Sequence, residues 1–199
     1  MNEVKLFNKY SFSDVVVIDA GLKRYINLSP VIIPRTLGRH EYKKFWKSKM
    51  NIVERLMNKL MVPGHKRKRH YWTSRQCAGK SHTTFNLVKE VFSIIEQKTK
   101  RNPLQVFVDA IQRASPCEEI TTIEYGGIKQ PKAVDTSPQR RVDLAIKWFV
   151  QGTYQAAVNK KTKTTTVLAN MIMKTAEGDV QSFPLKMRNE LERQAAASR

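Results

Sequence analysis

Apolar residues recur with a helical period in a series of segments that begins at Ile52. Within each segment they fall three or four positions apart, which places them on one face of a helix. Pro and Gly separate some of these segments, as at Pro63-Gly64. The pattern predicts helices over residues 52–61, 85–95, 103–111, 138–149, 164–176 and 182–197.

Two dipeptides mark where helices start. Asn102-Pro103 has the form of an N-cap followed by Pro at the first helical position, and Ser137-Pro138 restarts a helix further along. Gly152 follows the apolar face of that second helix, and we expect it to break or kink the helix before Tyr154.

An extended pair interrupts the helices after Cys117. Ile120–Tyr125 and Ile128–Val134 flank Gly126-Gly127, a two-residue connection that is typical of a β-hairpin. Residues 1–48 lack sustained periodicity and are interpreted as an extension laid over another part of the chain. The fold prediction is a mainly α protein, in which an N-terminal extension (1–48) precedes a helical domain (49–199) with a basic loop at 65–79 and a protruding β-hairpin arm at 119–135.

The net charge of the chain indicates a class of function. Lys and Arg number 36 against 17 Asp and Glu, a formal net charge of +19 with a pI near 10.1. A surplus of this size usually has a polyanionic partner, with nucleic acid ahead of an anionic membrane surface. No run approaches ~18 consecutive apolar residues, and Met1–Tyr10 lacks an apolar signal-peptide core. Two cysteines fit a reducing compartment, so we expect a soluble cytosolic or nuclear protein and no membrane partner.

The basic residues are clustered. Between Arg55 and Lys89 there are nine Lys or Arg residues and no acid, and the densest run, His65–His70, precedes Tyr71-Trp72. Cations beside aromatic rings suit RNA, although a solvated loop or a nuclear-localisation-like run would look similar. Trp148 could likewise stack on a base or pack in the core. Further basic patches lie at predicted loops and helix starts: Arg35, Arg39, Lys43, Lys44, Lys47; Lys129, Lys132, Arg140, Arg141, Lys147; Lys160, Lys161, Lys163.

Catalytic and metal-binding motifs are incomplete. Ala78–Ser81 imitates the end of a P-loop, but Ser74 stands where that motif requires Gly. Four side chains with the chemistry of zinc ligands do not have the paired spacing of structural zinc sites: His65, His70, Cys77, His82. We therefore predict no enzyme, no metal and no cofactor. A basic helical protein that binds DNA or chromatin is the alternative to an RNA-binding protein.

Two sequence blocks carry a specific resemblance. Asn102-Pro103-Leu104-Gln105-Val106, together with Val134-Asp135-x-Ser137-Pro138-x-Arg140-Arg141-Val142, closely resembles the universal small-subunit ribosomal protein S-seven family, in its eukaryotic form called S-five. The resemblance covers nearly the whole chain. It implies a six-helix bundle with a hairpin arm and binding to the 3′ domain of small-subunit rRNA, where the family organises assembly of the subunit head. It also implies neighbouring head and platform ribosomal proteins as partners, a cytoplasmic location in the ribosome, and nucleolar passage during assembly.

The residues that we expect to act follow from the patches and the resemblance together. The predicted rRNA-binding set is Arg35, Arg39, Lys43, Lys44, Lys66, Arg67, Lys68, Arg69, Lys80, Arg140, Arg141, Lys147, Lys160, Lys161 and Lys163. The predicted contacts at the exit site for tRNA and mRNA are Tyr125, Gly126, Gly127, Lys129 and Lys132. The chain departs from the family in about ten extra residues between Gly64 and Gly79, and in the less basic hairpin tip at Glu124-Tyr125.

Overall fold

A computed structural model describes residues 4–66, 69–70 and 78–199 of the chain. Six of its helices have nine residues or more, and a long antiparallel hairpin separates the fourth helix from the fifth, so the mainly α prediction is confirmed. The helices are α1 Ala20–Lys23, α2 Ile52–Leu60, α3 Ser81–Thr99, α4 Pro103–Ala114, α5 Pro138–Ala157, α6 Thr164–Glu177 and α7 Phe183–Ala197. Strand β1 (His65–Lys66) pairs with β2 (Arg69–His70), and β3 (Glu118–Tyr125) pairs with β4 (Ile128–Asp135).

Both predicted helix starts are confirmed, since α4 begins at Pro103 and α5 at Pro138. The Asn102 side chain accepts a hydrogen bond from the Leu104 N–H at 3.1 Å, and Pro103 occupies the first turn of α4. Asn51 caps α2 in the same way, accepting from the Val53 N–H at 2.9 Å. These bonds satisfy backbone donors that the first turn of a helix leaves without partners.

The core lies where α3, α4 and α5 meet α6. Phe92, Phe107 and Phe149, one from each of the first three helices, are fully buried and contact one another in sequence, with ring centroids 6.1 and 6.4 Å apart. Trp148 is also buried, at 4% exposure, so the core interpretation of this residue holds and its ring is not available to a base. Within the described residues, no helix is both long and apolar enough to cross a membrane.

The prediction that Gly152 breaks its helix is wrong. Helix α5 runs without interruption from Pro138 to Ala157, and Gly152 is buried within it. A Cβ at this position would come within 2.7 Å of Phe183 Cδ1 and 2.9 Å of the Met171 side chain. The missing side chain therefore lets α6 and α7 approach α5 closely, and the glycine serves packing here.

The N-terminal segment lies over the bundle and adds to its core. Leu6, Phe7, Tyr10 and Phe12 are buried in the main cluster, where the Phe7 ring meets Phe92 edge-on with centroids 6.1 Å apart. A second stretch, residues 35–50, crosses the outer side of α2 in two short 3-10 turns, Arg39–Glu41 and Trp46–Lys49. The boundary at residue 48 stays a prediction, because no observation divides the chain there.

Candidate nucleic-acid interface

A cleft of about 750 Å³ opens between residues 40–50, α2 and α5. We call it the basic cleft. Six of its lining side chains are cationic, and of the described residues that line it only Asp143 is acidic. The cations are Lys44, Lys47, Arg55, Lys59, Arg140 and Lys147. They come from three separate parts of the chain, so the fold rather than the sequence brings them together.

Helix periodicity explains why α2 and α5 aim these groups at one space. Arg140, Asp143 and Lys147 are three and four positions apart on α5, and Arg55 and Lys59 are four apart on α2. Residues at these spacings share a helix face. The opposite face of each helix carries the apolar residues of the core.

Asp143 holds the cleft together electrostatically. One carboxylate oxygen accepts from Arg55 at 2.9 Å and the other from Lys47 at 2.8 Å. The Arg55 side chain is 1% exposed and also donates to the Tyr25 carbonyl oxygen at 3.0 Å. Asp143 thus balances the buried guanidinium and fixes Lys47, which leaves the remaining cations of the cleft without an acidic partner among its described lining residues.

The pKa of Lys59 reflects the crowding of positive charge in the cleft. Burial lowers the pKa of Lys59 below its usual value, and the neighbouring charges of Lys147 and Lys47 lower it further, while Asp143 acts in the opposite direction. An anion entering the cleft would remove part of that repulsion. The site is therefore arranged to favour a polyanion.

The segment above the cleft is tied down at both ends. Thr36 donates both its backbone N–H and its hydroxyl to the buried Glu54 carboxylate, each at 2.7 Å. Further along, the ammonium groups of Lys43 and Lys49 lie 5.5 and 5.2 Å from the centroid of the Trp46 ring. Arg35 donates to the Ser81 hydroxyl at the start of α3. The predicted residues Arg35, Arg39, Lys43 and Lys44 consequently lie on one anchored segment, of which Lys44 lines the cleft.

The two arginines at the start of α5 differ in what they contact. Arg141 is 15% exposed in its side chain and donates to Asp19 and to the Pro116 carbonyl oxygen, both at 3.0 Å. Arg140 is 55% exposed and pairs with Glu119 of β3 at 2.6 Å. Arg141 therefore links the N-terminal segment to the base of the hairpin, and Arg140 is the one that lines the cleft.

Other predicted residues lie apart from the cleft. Lys160, Lys161 and Lys163 are exposed beyond the C-terminal end of α5. A helix of 20 residues is ~30 Å long, so this patch lies far from Arg140 at the opposite end. Lys80 is exposed just before α3. The fold thus makes several basic surfaces, of which the cleft combines the most cations.

The basic loop is only partly described. Its strand register pairs His65 with His70 and Lys66 with Arg69. Arg67 and Lys68 lie outside the described residues, as does Cys77. Across the described part of the chain, no three His, Cys, Asp or Glu side chains lie close enough together to hold a metal ion.

The hairpin arm carries the opposite charge balance. Its two strands hold Lys129 and Lys132 against four acids, Glu118, Glu119, Glu124 and Asp135. Lys129 lies opposite Glu124 and Lys132 opposite Thr121. The turn consists of Gly126 and Gly127 with φ of 55° and 83°, values that glycine adopts without strain.

Sequence reasoning missed Lys59, Arg55 and Asp143 as members of one site. All three lie on predicted helices, but only the packing of α2 against α5 shows that they meet. Lys47 belonged to a recognised basic patch, although it was not in the predicted binding set. The signal that could have found Lys59 is its spacing of four from Arg55, on the polar side of a strongly amphipathic helix.

Known proteins give a consistent comparison. The family model described as ribosomal protein S7p/S5e matches residues 22–199. The chain is 45% identical over 197 residues to the small ribosomal subunit protein uS7 of Nanoarchaeum equitans, covering 99% of this chain and 100% of the relative. It is 42% identical over 195 residues to the uS7 of Methanococcoides burtonii (98% and 99% covered) and 43% identical over 197 residues to that of Archaeoglobus fulgidus (99% and 96%). These relatives are archaeal, so the expectation of a eukaryotic protein is wrong.

Proposed function

The chain belongs to the ribosomal protein S7p/S5e family, and on that premise we propose that it binds the 3′ domain of small-subunit rRNA and organises the subunit head. It is a ribosomal structural protein of the small subunit and not an enzyme. The observation that carries the proposal is the basic cleft, where six cations from three chain segments surround a single acid. Its place is the ribosome in the cytoplasm. Nucleolar passage was expected together with the eukaryotic form and is not proposed.

The cleft suits a folded RNA backbone better than a small anion. Its cations are spread over about 750 Å³ and come from α2, α5 and the anchored segment beside them, so several phosphates of one RNA segment can be neutralised together. Lys43, Lys44 and Arg39 continue the same positive surface along the anchored segment above it. Neutralisation of phosphates releases counterions, which makes affinity strongly dependent on salt.

The first experiment measures binding of the full chain to a transcript of the rRNA 3′ domain. If about eight phosphates are neutralised, affinity falls by ~10³ to 10⁵ between roughly 50 and 200 mM salt. Replacing Lys44, Lys59 and Lys147 together with Gln should weaken binding and lower the logarithmic salt slope by about 2 to 3. The matched control replaces Lys89, Lys174 and Lys186, exposed lysines outside the cleft, and should change both quantities much less.

The alternative function, binding of DNA or chromatin, has its own outcome in this experiment. Equal affinity for random duplex DNA and for the rRNA 3′ domain would overturn the proposal of a specific rRNA partner. Equal loss in the two triple-lysine variants would show that net charge, rather than the cleft, determines affinity.

We further propose that the hairpin arm lies at the exit site for tRNA and mRNA. Two observations support it: strands of eight residues are about 26 Å long, and the chain from Gly126 to Lys132 is exposed. The predicted contacts are Tyr125, Gly126, Gly127, Lys129 and Lys132. A photo-crosslinker at residue 129, in small subunits programmed with mRNA and tRNA, should crosslink to one of these RNAs. Crosslinks confined to rRNA would contradict the placement.

A further inference from the structure

Two glutamine side chains hold a short extended segment, residues 15–18, against α4. Gln105 Oε1 accepts from the Val16 N–H at 2.8 Å, and its Nε2 donates to the Val16 carbonyl oxygen at 3.1 Å. Two helical turns further on, Gln112 Oε1 accepts from the Ile18 N–H at 2.8 Å and from the Asp19 N–H at 2.9 Å. These two amides therefore bind one edge of the segment as a neighbouring strand would.

The other edge of the segment is open at Val17, whereas the Val15 N–H donates to the Phe12 carbonyl oxygen at 3.3 Å. Backbone groups of successive residues in an extended chain point to opposite sides, so Val17 faces away from α4 when Val16 and Ile18 face toward it. Within the described residues, neither the N–H nor the carbonyl oxygen of Val17 has a hydrogen-bond partner. Val15 and Val17 pack against the core, which fixes the segment in place. A rigid backbone edge of this kind is a template for another strand.

An open groove of about 1020 Å³ runs along this segment, and its far side is made of residues 23–29 together with Phe45, Ser48 and Lys49. We call it the Val17 groove. Two large apolar side chains that line it remain in water, Val16 at 63% exposure and Phe45 at 72%, and Ile18, which ends the segment, is 81% exposed. Apolar side chains grouped at this exposure mark a surface for a macromolecular partner.

The charges of the groove indicate which partner fits. Lys23, Arg24 and Lys49 line it, and of the described residues along its wall none is acidic. RNA could use these cations, but it would leave the Val17 edge unpaired and Val16 and Ile18 uncovered. A polypeptide with carboxylates and apolar side chains satisfies all three features at once.

We propose that the Val17 groove binds an extended segment of a neighbouring small-subunit protein by β-strand addition. The backbone of that segment pairs with Val17, its apolar side chains cover Val16 and Ile18, and its carboxylates approach Lys23, Arg24 and Lys49. This mode takes affinity from main-chain hydrogen bonds and specificity from alternate side chains. The inference rests on the proposed function, because it takes the partner from the same subunit.

The first test places a photo-crosslinking amino acid at residue 16 of the full chain and reconstitutes small subunits from rRNA and the complete set of small-subunit proteins. Mass spectrometry should find crosslinks to one segment of one protein, with Asp or Glu beside it. Residue 180 is the control position, since Val180 is a similarly exposed valine outside the groove. Crosslinks from residue 16 to rRNA only, to a second copy of this chain, or to nothing would overturn the proposal.

The second test separates strand pairing from simple apolar contact. Because the Val17 N–H makes no internal hydrogen bond, Val17→Pro loses none in the free protein but removes the donor that an added strand needs. Its affinity for a synthetic peptide of the crosslinked segment should fall about tenfold, whereas Val17→Thr, which keeps the N–H, should retain most of it. Equal melting temperatures of the two variants confirm intact folding, and equal affinities would overturn strand addition.

The charged residues of the groove provide a third test. The double variant Arg24→Glu and Lys49→Glu should lose the residue-16 crosslink, while Lys23→Arg should keep it. Co-sedimentation with the rRNA is measured in the same samples. If the chain without these charge changes co-sediments but gives no protein crosslink, this inference alone is refuted. If that chain fails to co-sediment, the proposed function is refuted and the inference with it. A double variant that co-sediments and keeps its crosslink would contradict the role given to these charges.

Discussion

The basic cleft and the hairpin arm meet at Arg140 of α5, which lines the cleft and pairs with Glu119 at the base of the arm. Beyond it the two regions diverge. The cleft combines six cations with one acid, and the arm has two lysines against four acids. Arg140 and Arg199 compensate two of those acids, Glu119 and Glu118, from outside the arm. Of these two regions, the cleft therefore carries the positive charge.

On the proposed function, the difference implies that the two regions contact RNA by different physical means. The cations of the cleft come from two packed helices and one anchored segment, so we expect them to act on phosphates by charge and binding there to depend strongly on salt. The arm carries more acids than lysines, so we expect it to contact a surface mainly by shape and reach. A test of either region should leave the other unchanged, and the following changes are ordered from the largest expected effect to the smallest.

Replacing Arg55 with Ala should damage the cleft most. The change leaves Asp143 without its buried partner and the Tyr25 carbonyl oxygen without a donor. We expect a loss of about 3 kcal/mol in the free energy of unfolding, measured by urea denaturation. Lys129→Ala on the arm is the matched removal of one cation, and it should change that free energy by less than about 0.5 kcal/mol. Equal losses of unfolding free energy in the two variants would show that Lys129 stabilises the fold as much as Arg55 does, which would contradict the comparison.

Gly152→Val should disturb the basic cleft and the hairpin arm together. Its side chain would collide with Phe183 at the start of α7 and with Met171 of α6, at a cost of about 2 kcal/mol in unfolding free energy. Because α7 also supports the arm, through Glu192 and the Cys117 N–H, hydrogen exchange should rise in both regions. Faster exchange confined to the cleft would contradict this link through α7.

Shortening the arm should leave affinity for the rRNA 3′ domain almost unchanged. Joining Thr121 to Lys132 through Gly-Gly removes the exposed end of the hairpin, and we expect less than about a threefold change in affinity, or ~0.6 kcal/mol. The logarithmic salt slope should also stay the same, since Lys129 is the only cation removed. A drop in salt slope as large as that of the variant with Lys44, Lys59 and Lys147 replaced would show that the arm binds phosphates as the cleft does.

The smallest expected effect is a pH dependence of stability caused by Lys59. Burial and the charges of Lys147 and Lys47 lower its pKa in the folded state, so the unfolded chain binds more protons in the window between the lowered pKa and 10.5. The stability of the free protein should therefore rise with pH across that window, and Lys59→Gln should remove the rise. Bound phosphates restore the proton, so RNA binding should take up protons in the same window. Calorimetry in two buffers of different ionisation enthalpy measures this uptake, and release of protons would contradict it.

Local pattern predicted the elements and tertiary packing determined the site. The helices and the hairpin follow from apolar spacing, Asn-Pro and Gly-Gly signals, because each depends on neighbours a few residues away. Asp143 as the centre of the cleft depends on α2, α5 and the 35–50 segment meeting, and no local spacing encodes that. Gly152 was misjudged for the same reason, since its role is set by Met171 and Phe183. The Arg141 side chain also turned out to bind Asp19 inside the protein.

The buried N-terminal segment has a consequence for how the chain is made. Tyr10 donates its hydroxyl hydrogen bond to Glu96, 86 residues later, and Phe7 rests on Phe92 of the same helix. At about 5 to 20 residues per second, the partner helix is synthesised roughly 4 to 17 s after the segment that it covers. During that interval α3 has not been synthesised and cannot cover the apolar side chains of residues 6–12. The burial of residues 6–12 therefore has to wait for α3, so this part of the core forms after its own segment has been made.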